Sequence, residues 1–258
     1  MSATLLEVAG LRVGFASGEA VRGVGFTLGR ERLAIVGETG SGKSLTGRAI
    51  LRLLPPAARL SAARLVFDGI DLLAASEREM RRLRGRRIGL VLQDPRFSLN
   101  PVMSIGEQIA EACRSSGREG PRAARQKALA LLEAVRIREP QRVYQLYPHQ
   151  VSGGMGQRAM LAMMLAPDPD LLIADEPTSA LDVTARQQVL AVLDEQVSRR
   201  GMGLILISHD LGVVGDFCDR VLVMRAGEVV EECAAAALVT ARHPYTRRLL
   251  AAERRLER

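Results

Sequence analysis

Short apolar runs that stop abruptly at polar or turn-forming residues recur along this chain. Leu33-Ala-Ile-Val36 runs into glycines, and Ile88-Gly-Leu-Val-Leu92 stops at Gln93-Asp-Pro95. Leu171-Leu-Ile-Ala174 stops at Asp175-Glu-Pro177, and Leu204-Ile-Leu-Ile207 stops at Ser208-His-Asp210. These runs are rich in Ile, Val and Leu and lack polar alternation. They predict strands buried on both faces of a mostly parallel sheet. The polar residues then fall at carboxyl ends of strands, where open α/β sheets place ligands. Val221-Leu-Val-Met224, Arg225-Ala-Gly227 and Glu228-Val-Val230 together predict a β-hairpin.

Helical patterns lie between these runs. Residues 42–54 open on a glycine loop and stop at Pro55-Pro56. Residues 104–114 and 121–136 are amphipathic. Residues 155–165 are apolar on nearly every side, which predicts a buried helix. Residues 184–199 follow Asp182, a good N-cap residue. From about 94 to 164 helix signals dominate. That stretch separates strands expected in one sheet, so it predicts an inserted helical lobe, with core segments at 1–93 and 165–258.

Composition narrows the class. Of 258 residues, 47% are apolar and 25% charged, as in an ordinary folded domain. No apolar run approaches the roughly 18 residues that a membrane span needs. The first ten residues have no basic start and carry Glu7, so they do not read as a signal peptide. The three scattered cysteines argue for a reducing compartment and against a disulfide framework or zinc ribbon. The net charge is +7, yet aromatics are only 3% and arginines are interleaved with acids. That favours a solvated basic surface over nucleic-acid binding. Residues 78–87 are the densest basic stretch, a solvated helix and turn or a face toward an acidic partner or lipid headgroups. Only two of the 36 basic residues are lysines, Lys43 and Lys127.

Lys43 stands inside Gly37-Glu38-Thr39-Gly40-Ser41-Gly42-Lys43-Ser44, which fits G-x-x-x-x-G-K-[ST] between a predicted strand and a predicted helix. Glycines let successive backbone N–H groups curl around phosphate oxygens, and the helix start adds partial positive charge. Lys43 would reach the β- and γ-phosphates and the Ser44 hydroxyl would bind Mg²⁺. By accident such a match arises in on the order of one chain in a thousand. A slim ammonium fits inside a tight ring of amides where a guanidinium fork would not.

Asp175 and Glu176 place two carboxylates at a strand end. Taken alone, Asp-Glu-Pro there is a helix-capping turn. Downstream of a phosphate loop, Asp175 is expected to hold Mg²⁺ through water, and Glu176 to act as the general base on the attacking water. Gln93 could coordinate Mg²⁺ by its carbonyl oxygen or orient water by its amide. His209 is a candidate contact to the γ-phosphate. Ser152-Gly153-Gly154-Met155 before the apolar helix forms a second anion-binding helix start. One nucleotide cannot easily use both within a subunit, which suggests a site shared across a dimer.

These residues, in this order, resemble the ATP-binding-cassette ATPases, nucleotide-binding subunits of membrane transporters. The parts are the Walker A loop 37–44, the Q-loop Gln93, the signature Ser152-Gly153-Gly154, and the Walker B strand 171–175 with Glu176. The D-loop Ser179-Ala-Leu-Asp182 and the switch histidine His209 complete the set. The resemblance covers nearly the whole chain. It implies an α/β P-loop NTPase (RecA-like) fold, with a mostly parallel sheet core, an antiparallel β-subdomain and an inserted α-helical subdomain. It also implies ATP and Mg²⁺ as cofactors. Catalytic roles fall to Glu176, His209 and Gln93. Phe15 would stack on adenine, while Phe26 reads as sheet core. Residues 37–45, including Leu45, would bind the phosphates, with Gln93, Ser152, Gly153, Gly154, Asp182 and His209 completing the nucleotide contacts. Ser44, Gln93 and Asp175 would hold the metal.

Two such subunits would close head to tail around two ATP and drive transmembrane permease subunits. An extracytoplasmic substrate-binding protein would belong to the same complex, and the ATPase would sit peripherally on the cytoplasmic face of the membrane. The Gln93 region, to Pro101, would lie near the groove receiving the permease's coupling helix. Gln93-Asp-Pro, Ser98-Leu-Asn-Pro101, Gly106-Glu-Gln108, Met155 in the signature and His243-Pro-Tyr-Thr246 are similar to importers of peptides and nickel. Longer members continue past His-Pro-Tyr-Thr with a cysteine-bearing tail. The shorter form here resembles the nickel-import ATP-binding subunits, which also serve metal chelates. The second ATPase subunit is expected to be a related chain, and with every half-site intact a homodimer stays open. The competing classes are soluble cassette proteins of DNA repair or translation, which carry insertions absent here, and P-loop kinases or GTPases, which leave the signature and His209 unexplained.

Overall fold

The computed structural model describes residues 4–94, 98–115, 117, 119–179 and 181–256, with backbone alone at 254–256. Residues 95–97 of the Gln93 loop and Ala180 of the D-loop lie outside them. The first elements in chain order are β1 (Leu6–Phe15), β2 (Gly18–Leu28), β3 (Arg32–Val36), α1 (Lys43–Ile50), β4 (Arg59–Ser61), β5 (Arg64–Phe67), β6 (Ile70–Asp71) and α2 (Glu77–Leu83). Next come β7 (Ile88–Val91), α3 (Ile105–Ser115), α4 (Pro121–Ala134), α5 (Pro140–Gln145), α6 (Gly153–Leu165), β8 (Leu171–Asp175) and α7 (Val183–Arg200). The last are β9 (Gly203–Ser208), α8 (Leu211–Phe217), β10 (Arg220–Arg225), β11 (Glu228–Ala234) and α9 (Pro244–Leu256). Every strand and the hairpin expected from the apolar runs is present. Among the described residues, no helix is long and apolar enough to cross a membrane.

The chain divides into two compact units, residues 1–80 with 203–258, and residues 81–202. The expected helical stretch, 94–164, lies within the second unit, which also holds β7, β8 and α7.

In the first unit, β3 pairs in parallel with β9 on one side and β10 on the other, with Ile35 opposite Ile207 and Leu222. Leu33, Ala34, Ile35 and Val36 are wholly buried, as the unalternating run predicts. Each large aliphatic side chain buried this way contributes about 1.5–3 kcal/mol. β10 turns back antiparallel into β11. A separate antiparallel sheet joins β1 to β2, β4 and β5, with β6 beyond β5. Its alternation escapes a simple reading because the β1–β2 register shifts between Val8 and Leu11. Leu6 and Val8 precede the irregularity, Leu11 and Val13 follow it, and all four are buried. An extra residue in a strand resets the two-residue period.

In the second unit, β7 and β8 pair in parallel, and α6 packs on both β7 and α7. Around α6 are α3 and α4. α3 approaches α5 so closely that a Cβ on Gly106 would lie 2.0 Å from the Tyr144 ring. Gln108, 5% exposed, explains the conspicuous Ser98-Leu-Asn-Pro101 loop. Its amide nitrogen donates to the carbonyls of Asn100 and Met103, both at 3.0 Å, and its oxygen accepts from the Asn100 N–H at 2.7 Å.

Two helices stop short of their expected ends. α1 ends at Ile50 rather than 54, and α4 at Ala134 rather than 136. At each stop an arginine adopts a left-handed backbone, Arg52 with φ 53° and Arg136 with φ 60°. The reversal bonds Arg52 N–H to Ala49 O and Leu53 N–H to Arg48 O. It repeats as Arg136 N–H to Glu133 O and Ile137 N–H to Leu132 O. This is the helix stop that usually carries glycine, so nothing in the sequence announced it.

Candidate nucleotide-binding site

The first unit carries Phe15, residues 37–45 and His209. The glycine loop leaves β3 and closes on α1. Gly42, the N-cap, has φ 101° and no side chain to cap the first amides of the helix. Those amides lack intrahelical acceptors by geometry and suit an anion. A Cβ on Gly37 (φ 148°) would lie 2.1 Å from the Met224 carbonyl oxygen, and one on Gly42 would lie 2.7 Å from that of Ala20. Gly40 (φ 83°) has nothing within 4 Å of its Cβ position. The loop is therefore pressed against backbone at Gly37 and Gly42 and open at Gly40.

Lys43 is 5% exposed, and its ammonium donates to the carbonyls of Gly37 at 2.7 Å and Glu38 at 2.9 Å. It lies inside the loop it closes. The buried Ser41 Oγ finds no hydrogen-bond partner among the described residues. A buried ammonium, an orphaned hydroxyl, a helix start without a side-chain cap and an opening at Gly40 together fit a chain of phosphates. Ser44 and Leu45 follow on α1, both half-buried.

Phe15 ends β1 half-buried, opposite Gly18, while Phe26 is 6% exposed within the sheet, as expected of a core residue. His209 is exposed immediately after β9. Asp210 then caps α8, accepting from the Val213 N–H at 3.0 Å.

The second unit carries Gln93, Ser152, Gly153, Gly154, Asp175, Glu176 and Asp182. Ser152 is the N-cap of α6 and accepts from the Met155 N–H at 3.3 Å. Gly154 passes close to α7, since a Cβ there would lie 3.2 Å from that of Ala185. Asp182 caps α7, accepting from the Ala185 N–H at 2.8 Å. Gln93, Ser152, Gly153, Gln157 and Leu181 line one cavity of about 610 Å³, so the structure gathers the Q-loop glutamine and the signature around a common space.

Asp175, 4% exposed, ends β8. Glu176 follows with φ 48°, a conformation that non-glycine residues rarely adopt, and its carbonyl accepts from Ser179. Backbone strain of this kind costs about 1–3 kcal/mol and concentrates at functional sites. Asp175, Gln93 and Ser44 all offer oxygen donors, the type that Mg²⁺ prefers.

Two neighbours of the phosphate loop were not legible as such in the sequence. The β10–β11 turn holds the loop through Gly227 N–H, which donates to the Ser41 carbonyl at 3.0 Å. Tyr245 of α9 accepts from the Glu38 N–H at 3.1 Å. Only the His243-Pro-Tyr-Thr246 motif marked that residue.

A family model described as ABC transporter matches residues 21–179. The chain belongs to the ABC transporter family. It is an ATP-binding and ATP-hydrolysing cassette with the P-loop NTPase fold expected for it. The chain is 48% identical over 253 residues to the probable peptide ABC transporter ATP-binding protein y4tR of Sinorhizobium fredii, covering 95% of this chain and 76% of the relative. It is 46% identical over 260 residues to the oligopeptide transport ATP-binding protein OppD of Bacillus subtilis, covering 98% and 73%. Among solved structures it resembles the dimeric post-hydrolysis state of the ATP-binding cassette MJ0796 bound to ADP and Pi. The TM-score there is 0.80, with 26% identity, 90% of this chain and 99% of that one covered. These names support a transporter ATPase of the importer kind over the soluble repair or translation type. The two relatives are named for peptide and oligopeptide transport, and nickel has less support.

Proposed function

We propose that this ABC ATPase powers peptide import from the cytoplasmic face of the membrane, bound to a pair of permease subunits and served by an extracytoplasmic binding protein. The observation that carries the reading is the glycine loop closed around buried Lys43, in a chain whose relatives are named for peptide and oligopeptide transport. The residue roles follow the family resemblance. The whole chain acts as one cassette, core at 1–93 and 165–258 and signature region at 94–164.

In this reading residues 37–45 bind the triphosphate and Phe15 the adenine. Glu176 accepts a proton from the attacking water, whose oxygen bonds to the γ-phosphorus as the bond to the bridging oxygen breaks, leaving ADP and phosphate. His209 and Gln93 orient the γ-phosphate and the water. Ser44, Gln93 and Asp175 are the oxygen donors assigned to Mg²⁺, which when bound offsets phosphate charge. Ser152, Gly153, Gly154 and Asp182 meet the nucleotide of a second ATPase subunit. Support for that part is the Ser152-capped start of α6, a second anion-binding helix end in the same chain.

The test is ATP hydrolysis by the reconstituted transporter, with its binding protein offered short peptides, Ni²⁺ or a nickel chelate. Stimulation by peptides is expected. Stimulation by nickel species alone would replace the cargo, and absence of ATP hydrolysis in every arm would overturn the reading.

A further inference from the structure

The Gly37–Glu38 peptide group is held at both ends. Its carbonyl oxygen accepts from Lys43 Nζ at 2.7 Å, and its N–H donates to Tyr245 Oη at 3.1 Å. Tyr245 is 2% exposed, and the Arg225 guanidinium lies over its ring, 5.2 Å from the centroid. A buried phenol hydroxyl needs a partner, and here that partner is the phosphate loop.

The entry to α9 is fixed in turn. The Glu231 carboxylate of β11 accepts from the N–H groups of Arg242 at 2.7 Å and His243 at 3.2 Å, and His243 Nδ1 accepts from the Tyr245 N–H at 3.2 Å. Eight residues beyond Tyr245, about two helical turns, the Glu253 carboxylate accepts from the Leu211 N–H at 2.6 Å and the Gly212 N–H at 3.3 Å. Leu211 and Gly212 open α8, directly after His209 and Asp210. One helix therefore touches the start of the phosphate loop with one side chain and the segment after His209 with another, all within the first unit.

We infer that Tyr245 and Glu253 are positioning residues of the ATPase, α9 being a strut that sets the Gly37–Glu38 peptide and the backbone following His209. The inference rests on the reading that residues 37–44 bind ATP. Tyr245 resists rotation of the peptide whose oxygen holds the Lys43 ammonium, so it acts on ATP binding. Glu253 fixes the first turn of α8, so it acts on the step that His209 serves. The two ends of one helix thus separate into an effect on KM and an effect on kcat.

The experiment uses the full chain in its transporter complex and compares Tyr245→Phe, Glu253→Ala and Glu253→Gln with wild type in ATP affinity, KM, kcat and melting temperature. Tyr245→Phe keeps the ring and its cation contact and removes only the hydroxyl. It is expected to raise KM for ATP about fivefold, the scale of one hydrogen bond, with the melting temperature lowered by no more than about 2–4 °C. Glu253→Ala is expected to lower kcat severalfold with KM unchanged, and Glu253→Gln, whose amide oxygen accepts the same two bonds, to restore it. Wild-type kinetics in Tyr245→Phe, or losses in both variants that track melting temperature, would overturn the inference. Hydrogen exchange at the Glu38 amide reads the bond directly: protection in wild type and its loss in Tyr245→Phe are expected, and an unprotected amide in wild type contradicts it. Failure of wild type to bind ATP would instead remove the underlying reading.

Discussion

Lys127 of α4 and Asp168, in the turn between α6 and β8, meet at 2.8 Å. Lys127 also donates to Glu119 at 3.0 Å, and Arg200 at the end of α7 reaches the same Asp168 carboxylate. Asp168 itself has φ 58°. The second lysine of this arginine-rich chain thus joins a helix, a turn and, through Asp168, a second helix within one unit. A compact ammonium with three rotatable donors suits two carboxylates on different elements.

Burial by itself would lower the Lys127 pKa, but the hydrogen bonds and charges of Asp168 and Glu119 outweigh it and raise it above the ordinary 10.5. A raised pKa on a cation means stability fully present below the unfolded value and lost as pH climbs through the folded one. Lys127→Ala is expected to cost about 1–2 kcal/mol at pH 7, more than an exposed pair because Glu119 is left half-buried. Urea midpoints at pH 7 and above pH 11 check this. The gap between variant and wild type should narrow at the higher pH.

Gly37→Ala places a methyl group 2.1 Å from the Met224 carbonyl oxygen at φ 148°. That oxygen is backbone rather than a flexible side-chain end, so the loop must move. Strain of at least about 1–3 kcal/mol predicts a loss of ATP affinity of about tenfold or more, measurable by calorimetric titration. Gly40→Ala meets only the strain of φ 83° with open space around it, so its effect should be smaller.

Burial, the largest cause, pushes the Cys113 thiol up to about 11 and the Cys218 thiol up to about 12. Thiolate is the reactive form. At pH 8, iodoacetamide is expected to spare both in the native protein and to label them in urea, with mass spectrometry as the readout. Rapid native labelling of Cys218 would show that α8 opens far more readily than its packing indicates.

The strands of the site and the phosphate loop were legible because their signals are local. An unalternating apolar run ended by Gln93, Asp175 or His209 encodes both the strand and the residue at its end. Asp182 as the cap of α7 was equally local. What escaped needs partners distant in sequence. Arg52 and Arg136 end helices where glycine would have been the signal. The left-handed conformation of Glu176 has no mark in Asp-Glu-Pro. Tyr245 lies 207 residues from Glu38, so its place against the loop belongs to tertiary packing, and the motif around it reads only as a family trait. Lys127 likewise had no visible purpose until Asp168, 41 residues away, was placed beside it.

Glu176 is the residue proposed as general base for ATP hydrolysis by this chain. The most direct measurement is steady-state phosphate release by Glu176→Gln beside its ATP affinity. Hydrolysis should fall by about 10²-fold or more, the scale of general-base catalysis, while ATP binding persists. A wild-type rate of phosphate release from Glu176→Gln would contradict the account.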